Sequence, residues 1–366
     1  MQRVQLEGSP QAMGEAFGEG FRREIAELYG LRRANALDQA RLYGGRDVSE
    51  DQFLALAARS LEVARGFDEV GYDELLGIAR GADLSPPVVM ALNGLTDLRD
   101  ALAWGGRLES LGGCTAFVSH PDRNADGLMR IGQTWDLGTN NQPFVVAVHR
   151  RPDTGPETWS VTTVGCLSLM GLSATGVAIG TTNLRTRDAR VGVPYLSLIH
   201  RALRCADATA ARRCIERAPR AGAHSYLLAD ARGEAGVLEC TATLSRWRSA
   251  SRGFDVQTNH CQDRAHRALE GATPIASSRA RLARMRELLG AGPPLSEAQL
   301  VEALGDRAGG GLSINRDDVD GISTNAAFLA APQLGEILAC QGAPDRASWS
   351  RLGPAPCLQP RASVAT

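Results

Sequence analysis

The chain changes texture once, at Gly112-Gly113-Cys114-Thr115, and that change limits how it can fold. Before it, Phe53, Leu56, Ala57, Leu61 and Ala64 recur at helical spacing within residues 51–70. Further helices are predicted over residues 72–82 and 87–101, the latter opened by prolines that suit a first helical turn. Trp104-Gly105-Gly106 and Gly112-Gly113 then break the regularity. Beyond Cys114 short β-like runs dominate, at residues 115–119, 128–135, 144–149, 158–164 and 176–181. Helices at 194–205 and 208–217 lead to strands at 225–230, 236–241, 245–249 and 254–258. Helices at 277–289 and 296–304 precede a last strand pair at 322–330 and 334–340. Strands and helices come in blocks rather than as alternating βαβ units, which predicts an α+β fold of packed layers. The expected division is a helical segment, 1–113, followed by a strand-rich unit, 114–366.

Bulk composition removes several functional classes. The 366 residues carry a net charge of −1, so nothing draws the chain to nucleic acid or to an anionic membrane, and neither partner is expected. All 40 basic residues are arginine, and the absence of lysine excludes Schiff-base chemistry, pyridoxal phosphate attachment and a lysine-type phosphate loop. No apolar run reaches 18 residues, and Met1-Gln2-Arg3-Val4-Gln5-Leu6-Glu7 lacks the apolar stretch of a secretory signal. The eight cysteines show no paired spacing and read as reduced thiols of a cytoplasmic protein. His260-Cys261 is a lone pair of metal-ligating types, so no metal and no other cofactor is expected.

Gly113-Cys114 admits a sharper reading. Cutting that bond would leave Cys114 with a thiol and an α-amine on one residue, a nucleophile beside its own base. The amine's reference pKa of about 7.7–8 leaves part of it neutral near pH 7. The plain alternative is a small buried thiol at a strand start. Cys240-Thr241 is a control: it follows Leu238-Glu239 inside a strand, with no glycine before it, and reads as structural.

An ordered set of motifs favours the sharper reading. Gly113-Cys114-Thr115-Ala116, Gly132-Gln133-Thr134-Trp135-Asp136 and Thr258-Asn259-His260 together resemble the acyl-CoA:6-aminopenicillanic acid acyltransferase family, peptidase family C45 of the N-terminal-nucleophile (Ntn) hydrolases. Residues 8–20, 74–93 and 171–178, Ser278-x-x-Arg281-x-x-Arg284 and Gly342-Ala343-Pro344 are similar to further landmarks of that family. The resemblance implies an αββα four-layer sandwich with a helical pro-segment. It also implies self-cleavage at Gly113–Cys114 into α and β chains that remain each other's partners. Cys114 would be the nucleophile, Asp136 would orient the new amine, and Asn259 would donate to the oxyanion. Arg281 would fix the site by pairing with a carboxylate such as Asp136. The substrate would be a small-molecule amide, a peptide or an acyl-CoA, and no cofactor is implied.

Other readings stand beside these. The related bile salt hydrolase branch usually has an arginine where this chain has Gln133, which sides with the acyltransferase-like branch. Asn183, aligned on the turn at Gly171 and Gly176, either assists the oxyanion or leaves that task to a backbone N–H. Thr115, Asn183 and His260 are candidates for substrate contact. His260 as a papain-style base is a weaker scheme, because that family's local cysteine signature is missing. Asp136, Asn183 and Asn259 also suit turns, and the arginines of residues 278–286 suit a solvated helix face. A binding protein that keeps the fold without cutting itself is the alternative to an enzyme.

Overall fold

The computed structural model describes residues 1–103, 113–249, 252–270, 276–290, 292–308, 313–317 and 321–354. Gly112, Trp104-Gly105-Gly106 and residues 355–366 lie outside the described residues. The chain opens with strand β1 (Gln2–Gly8) and helices α1 (Pro10–Gly20), α2 (Arg22–Gly44), α3 (Glu50–Phe67), α4 (Glu69–Ala82) and α5 (Pro86–Ala103). Strands β2 (Thr115–Ser119), β3 (Arg130–Gly138), β4 (Val145–Pro152), β5 (Thr158–Thr163), β6 (Met170–Ser173) and β7 (Ala178–Asn183) follow. Helices α6 (Tyr195–Leu203) and α7 (Ala208–Arg217) lead into β8 (His224–Ala229), β9 (Ala235–Cys240), β10 (Ser245–Ser249) and β11 (Phe254–Gln257). The rest is α8 (Arg264–Arg267), α9 (Ala276–Gly290), α10 (Glu297–Leu304), β12 (Ile322–Ala331), β13 (Glu336–Gln341) and β14 (Ser350–Leu352).

Two sheets carry the architecture. One runs β1-β4-β5-β6-β7-β8-β9-β10, with β1 parallel to β4 and the other pairings antiparallel. The other runs β11-β2-β3-β12-β13-β14. β2 and β3 pack on β7 and β8, so the sheets stack face to face. Helices α6 and α7 lie against β6 to β9, while α9 and α10 lie against β2, β3, β11 and β12. The order helix, sheet, sheet, helix is the αββα sandwich expected from the resemblance. Phe117, Ile131, Ile179, Leu227 and Phe328 are fully buried along the strands.

The leading segment is less separate than its helical period suggests. Its first strand belongs to the larger sheet, a pairing the sequence hides because Leu6 alone in β1 is buried. The period over 51–70 is interrupted at Asp68, whose extended backbone ends α3 and whose carboxylate accepts from Arg204 at 2.6 Å. Glu74 of α4 receives Arg150 of β4 at 2.8 Å, with both side chains buried. Asn93 of α5 donates to Gly165 O at 3.0 Å and accepts from Leu167 N at 2.8 Å. Removing one partner of such a buried ion pair typically costs about 3–5 kcal/mol.

Helices α1 and α4 meet backbone to backbone. A Cβ on Gly14 or Gly18 would overlap the carbonyl oxygens of Glu74 or Ile78, and one on Gly77 or Gly81 those of Gln11 or Glu15. Two glycines four residues apart on each helix therefore bring the axes together. A Gly77→Ala substitution should destabilise the protein in a denaturant titration by about 1–3 kcal/mol, the usual overpacking cost. Gly30→Ala in α2, where a new Cβ meets nothing within 4 Å, should leave stability unchanged or raise it by up to about 1 kcal/mol.

Candidate active site

Cys114, Asp136, Asn183, Asn259 and Arg281 come from five places in the chain and meet at one end of the stacked sheets. Cys114 precedes β2, and Asp136 lies in β3, which pairs with β2 through Thr134 and Thr115. Asn183 ends β7 in the other sheet, Asn259 follows β11, and Arg281 lies in α9. Cys114, Asp136, Asn183, Asn259 and Gly113 line one cavity of about 150 Å³. Its far wall is built from the leading segment, including Arg32 and Gln39 of α2 and Leu95 and Arg99 of α5.

Arg281 organises the loops. Only 1% exposed, it donates from Nη1 to Cys114 O at 2.6 Å and to Thr115 Oγ1 at 3.0 Å. Its Nη2 reaches Asn259 Oδ1 at 3.0 Å, and its Nε reaches Ser277 Oγ at 3.2 Å. The expected pairing of Arg281 with the Asp136 carboxylate is not made: every hydrogen bond of the guanidinium goes to a neutral oxygen, and the two charges act through space. A Cβ on Gly113 would overlap this guanidinium, so the residue before Cys114 has to be glycine for this packing.

Electrostatics separate the two acids. Burial pushes the Cys114 thiol up to about 12, and the Asp136 charge adds to the effect. The backbone N–H groups of Asp136 and Asn183 and the charge of Arg281 oppose it. Burial also raises Asp136 to about 6, against Arg281 and a hydrogen bond from Thr324. Thr324 Oγ1 donates to Asp136 Oδ1 at 2.7 Å, while Oδ2 is buried without a partner among the described residues. At neutral pH Asp136 is mostly ionised beside a protonated thiol, an arrangement able to move a proton from sulfur to oxygen.

The remaining candidates are placed unequally. Asn259 donates from Nδ2 to Asn183 O at 2.9 Å, which leaves one N–H on that amide for a further acceptor. Asn183 Oδ1 is buried without a partner among the described residues. Thr115 and His260 stand behind the cavity and are not part of its lining. Thr115 is fully buried beneath Arg281. His260 Nδ1 is held by Ser278 Oγ at 2.8 Å and Thr258 Oγ1 at 3.2 Å, and burial with Arg279 and Arg281 nearby lowers the ring to about 4. Its work is to brace the Asn259 loop, since Ser278 Oγ also accepts from Asn259 N at 2.9 Å. Gln133 bridges the sheets, accepting from Thr181 N at 2.6 Å. Thr324 and the α2 wall carried no local signal in the sequence; they reach the site by sheet register and helix packing. Among the described residues, no group of three or more His, Cys, Asp or Glu is disposed to hold a metal.

Known proteins resemble this chain across much of its length. Residues 126–332 match the sequence profile of acyl-coenzyme A:6-aminopenicillanic acid acyl-transferase. The chain is 26% identical over 297 residues to the acyl-coenzyme A:6-aminopenicillanic-acid-acyltransferase 40 kDa form of Emericella nidulans, covering 79% of this chain and 77% of that protein. Among solved structures, penicillin V acylase from Agrobacterium tumefaciens aligns with a TM-score of 0.43 at 14% identity, over 62% of this chain and 83% of its own. A conjugated bile acid hydrolase from Clostridium perfringens aligns with a TM-score of 0.46 at 10% identity, over 66% of this chain and 92% of its own. With more than half of its length matched by that profile, the chain belongs to the acyl-coenzyme A:6-aminopenicillanic acid acyl-transferase family.

Proposed function

We propose that this protein is a self-cleaving amidohydrolase or acyltransferase that forms an acyl-enzyme on Cys114. The observation that carries the reading is the convergence of Cys114, Asp136, Asn183 and Asn259 on one cavity that also contains Gly113. In the first step Asp136 takes the thiol proton and Sγ attacks the Gly113 carbonyl carbon. The Gly113–Cys114 C–N bond breaks, the amine leaves with the proton, and Gly113 is held as a thioester. Water then releases it as a carboxylate, giving chains 1–113 and 114–366. The leading segment stays bound, because β1, Glu74 and Asn93 anchor it to the larger sheet.

The freed Cys114 then repeats the attack on an external amide or thioester. Asn259 and the backbone N–H groups stabilise the oxyanion, Arg281 holds the Cys114 carbonyl, and Asp136 orients the α-amine. Water as the acyl acceptor makes the enzyme a hydrolase, and an amine makes it a transferase. The cavity volume of about 150 Å³ matches that of an engineered cavity that admits benzene, so a small acyl group fits inside. An acyl-CoA would reach in only by its acyl end. The cytoplasm remains the proposed location.

Intact mass spectrometry of the purified protein tests the proposal directly. Two chains meeting at Gly113 and Cys114 are expected, with one chain only for Cys114→Ala; an uncut wild-type chain that also resists an electrophilic acyl probe would instead be a binding protein.

The charge state of Asp136 makes a second prediction. Cleavage requires the carboxylate, so the rate should rise about tenfold per pH unit below about 6 and level off above it. Asp136→Asn should slow cleavage by at least about 100-fold and remove this limb. The folded value lies above the unfolded reference of about 3.9, so ionised Asp136 destabilises the fold above pH 6, and the penalty fades as pH falls toward 4. In the uncut Cys114→Ala background, Asp136→Asn should therefore melt higher than its parent at pH 8 and equally at pH 4.

Gly113→Ala should slow cleavage by about tenfold or more while Cys114 and Asp136 are intact, as time-resolved mass spectrometry will show. The new Cβ would displace the Arg281 guanidinium from Asn259 and Cys114.

A further inference from the structure

Arg32 of α2 is 8% exposed and lies in the wall of the cavity that holds Cys114. Its hydrogen-bond partners are all neutral. Nε donates to Asn141 Oδ1 at 3.3 Å, Nη1 to Leu92 O and Cys166 Sγ at 3.1 Å each, and Nη2 to Thr163 Oγ1 at 2.9 Å. Among the described residues no carboxylate stands within 4.0 Å of it. Arg99, in the same wall, is matched by Asp100 at 2.8 Å. Four of the five Arg32 N–H groups are spent, one on Nη2 is not, and the charge itself is uncompensated. A buried guanidinium without a counter-charge is costly in a protein interior, and an anion entering the cavity removes that cost.

Tyr195 lines the same cavity and is 4% exposed. Its ring stacks on His224 with centroids 4.1 Å apart, and its backbone N–H donates to Asp97 Oδ2 at 2.7 Å. Asp97 Oδ1 in turn holds His224 Nε2 at 2.9 Å, so the phenol has little freedom. Burial keeps its hydroxyl protonated, and both Arg32 and Cys114 lie within electrostatic reach of it. Neither residue carried a signal in the sequence.

The occupant follows from Gly113. In self-cleavage Gly113 is the acyl half of the broken amide, and it lines this cavity beside Cys114. An external substrate therefore lays its acyl group, not its leaving amine, in the space that Arg32 and Tyr195 close off. We propose that Arg32 and the Tyr195 hydroxyl seat a carboxylate at the far end of the substrate's acyl chain, so that the enzyme prefers short ω-carboxyacyl amides. The benzene-sized volume limits that chain to a few carbons. The inference rests on the reading of Cys114 as the nucleophile, and it assigns the leading segment a direct part in specificity.

The test compares succinyl and glutaryl 4-nitroanilides with butanoyl and pentanoyl 4-nitroanilides on the purified, self-cleaved protein. The acids should show a KM at least about tenfold lower than the neutral chains of equal length. Arg32→Gln should erase that ratio, Arg32→Lys should keep part of it, and Tyr195→Phe should reduce it. The ratio is internal to each variant, so a purely structural loss at Arg32 would lower both substrate sets together and leave it unchanged. Equal KM values for acids and neutral chains in the wild type, an unchanged ratio in Arg32→Gln, or no turnover of either set by the cleaved protein would each overturn the carboxylate seat. An uncut wild-type chain overturns the nucleophile reading itself, which separates the two failures.

Discussion

A guanidinium buried between strand ends draws oxygens to the N–H groups it presents, and this requirement shapes the site around Arg281. The oxygens come from Cys114, Thr115, Asn259 and Ser277, which belong to segments far apart in the chain. Hydrogen bonds from a charged donor contribute about 1.5–3 kcal/mol each, and leaving such a donor unsatisfied costs more. The loop after β11, the start of β2 and helix α9 are therefore held in one arrangement. Two further features follow from it. Residue 113 cannot carry a side chain, and the Asn259 amide is turned so that its nitrogen faces Asn183. With four of its five N–H groups on neutral oxygens, the Arg281 charge still reaches Asp136, whose value it holds down against burial.

The leading segment forms one wall of the site and so cannot be treated as packaging. It donates a strand to the larger sheet and a buried acid to Arg150, and it frames the cavity with α2 and α5. The close glycine contact of α1 with α4 sets where α4 lies, and with it Glu74. α5 is kinked at Leu95, whose φ of 35° lies where non-glycine residues are rare, and Asp97 follows within the same turn. The kink thus sits between the part of α5 that anchors to Gly165 through Asn93 and the part that holds His224 and Tyr195.

What the sequence disclosed depended on how local each signal was. β2, α7 and β10 fall where their residue patterns place them, because alternation and helical period are written within a few residues. Cys114, Asp136, Asn259 and Arg281 were legible as members of an ordered motif set, and they share one site. β1 was hidden because an edge strand with one buried side chain alternates too weakly, and β6 because four wholly buried residues show no period at all. The expected Arg281–Asp136 ion pair failed for a related reason. A charged pair can be read from composition, but whether neutral carbonyls and amides take the guanidinium first is decided by three-dimensional packing. Arg32 is the extreme case: an arginine on a long polar helix looks solvated until α5, Asn141 and the end of β5 close over it.

The buried thiol also explains why cutting and turnover would need different proton partners. In the uncut chain Cys114 has an amide nitrogen, its thiol is pushed to about 12, and Asp136 at about 6 is the base at hand. Under the proposed cleavage that nitrogen becomes an amine, and a protonated amine about 4 Å from sulfur contributes roughly 4 kcal/mol at an effective dielectric of about 20. That is close to a thousandfold in proton affinity, enough to bring the thiol from inert toward reactive without moving any other group. Asp136 is then freed from taking the thiol proton, and its unpartnered oxygen has an ammonium to hold. The same residue would serve as base once and as anchor thereafter, and what separates the two roles is the single bond between Gly113 and Cys114.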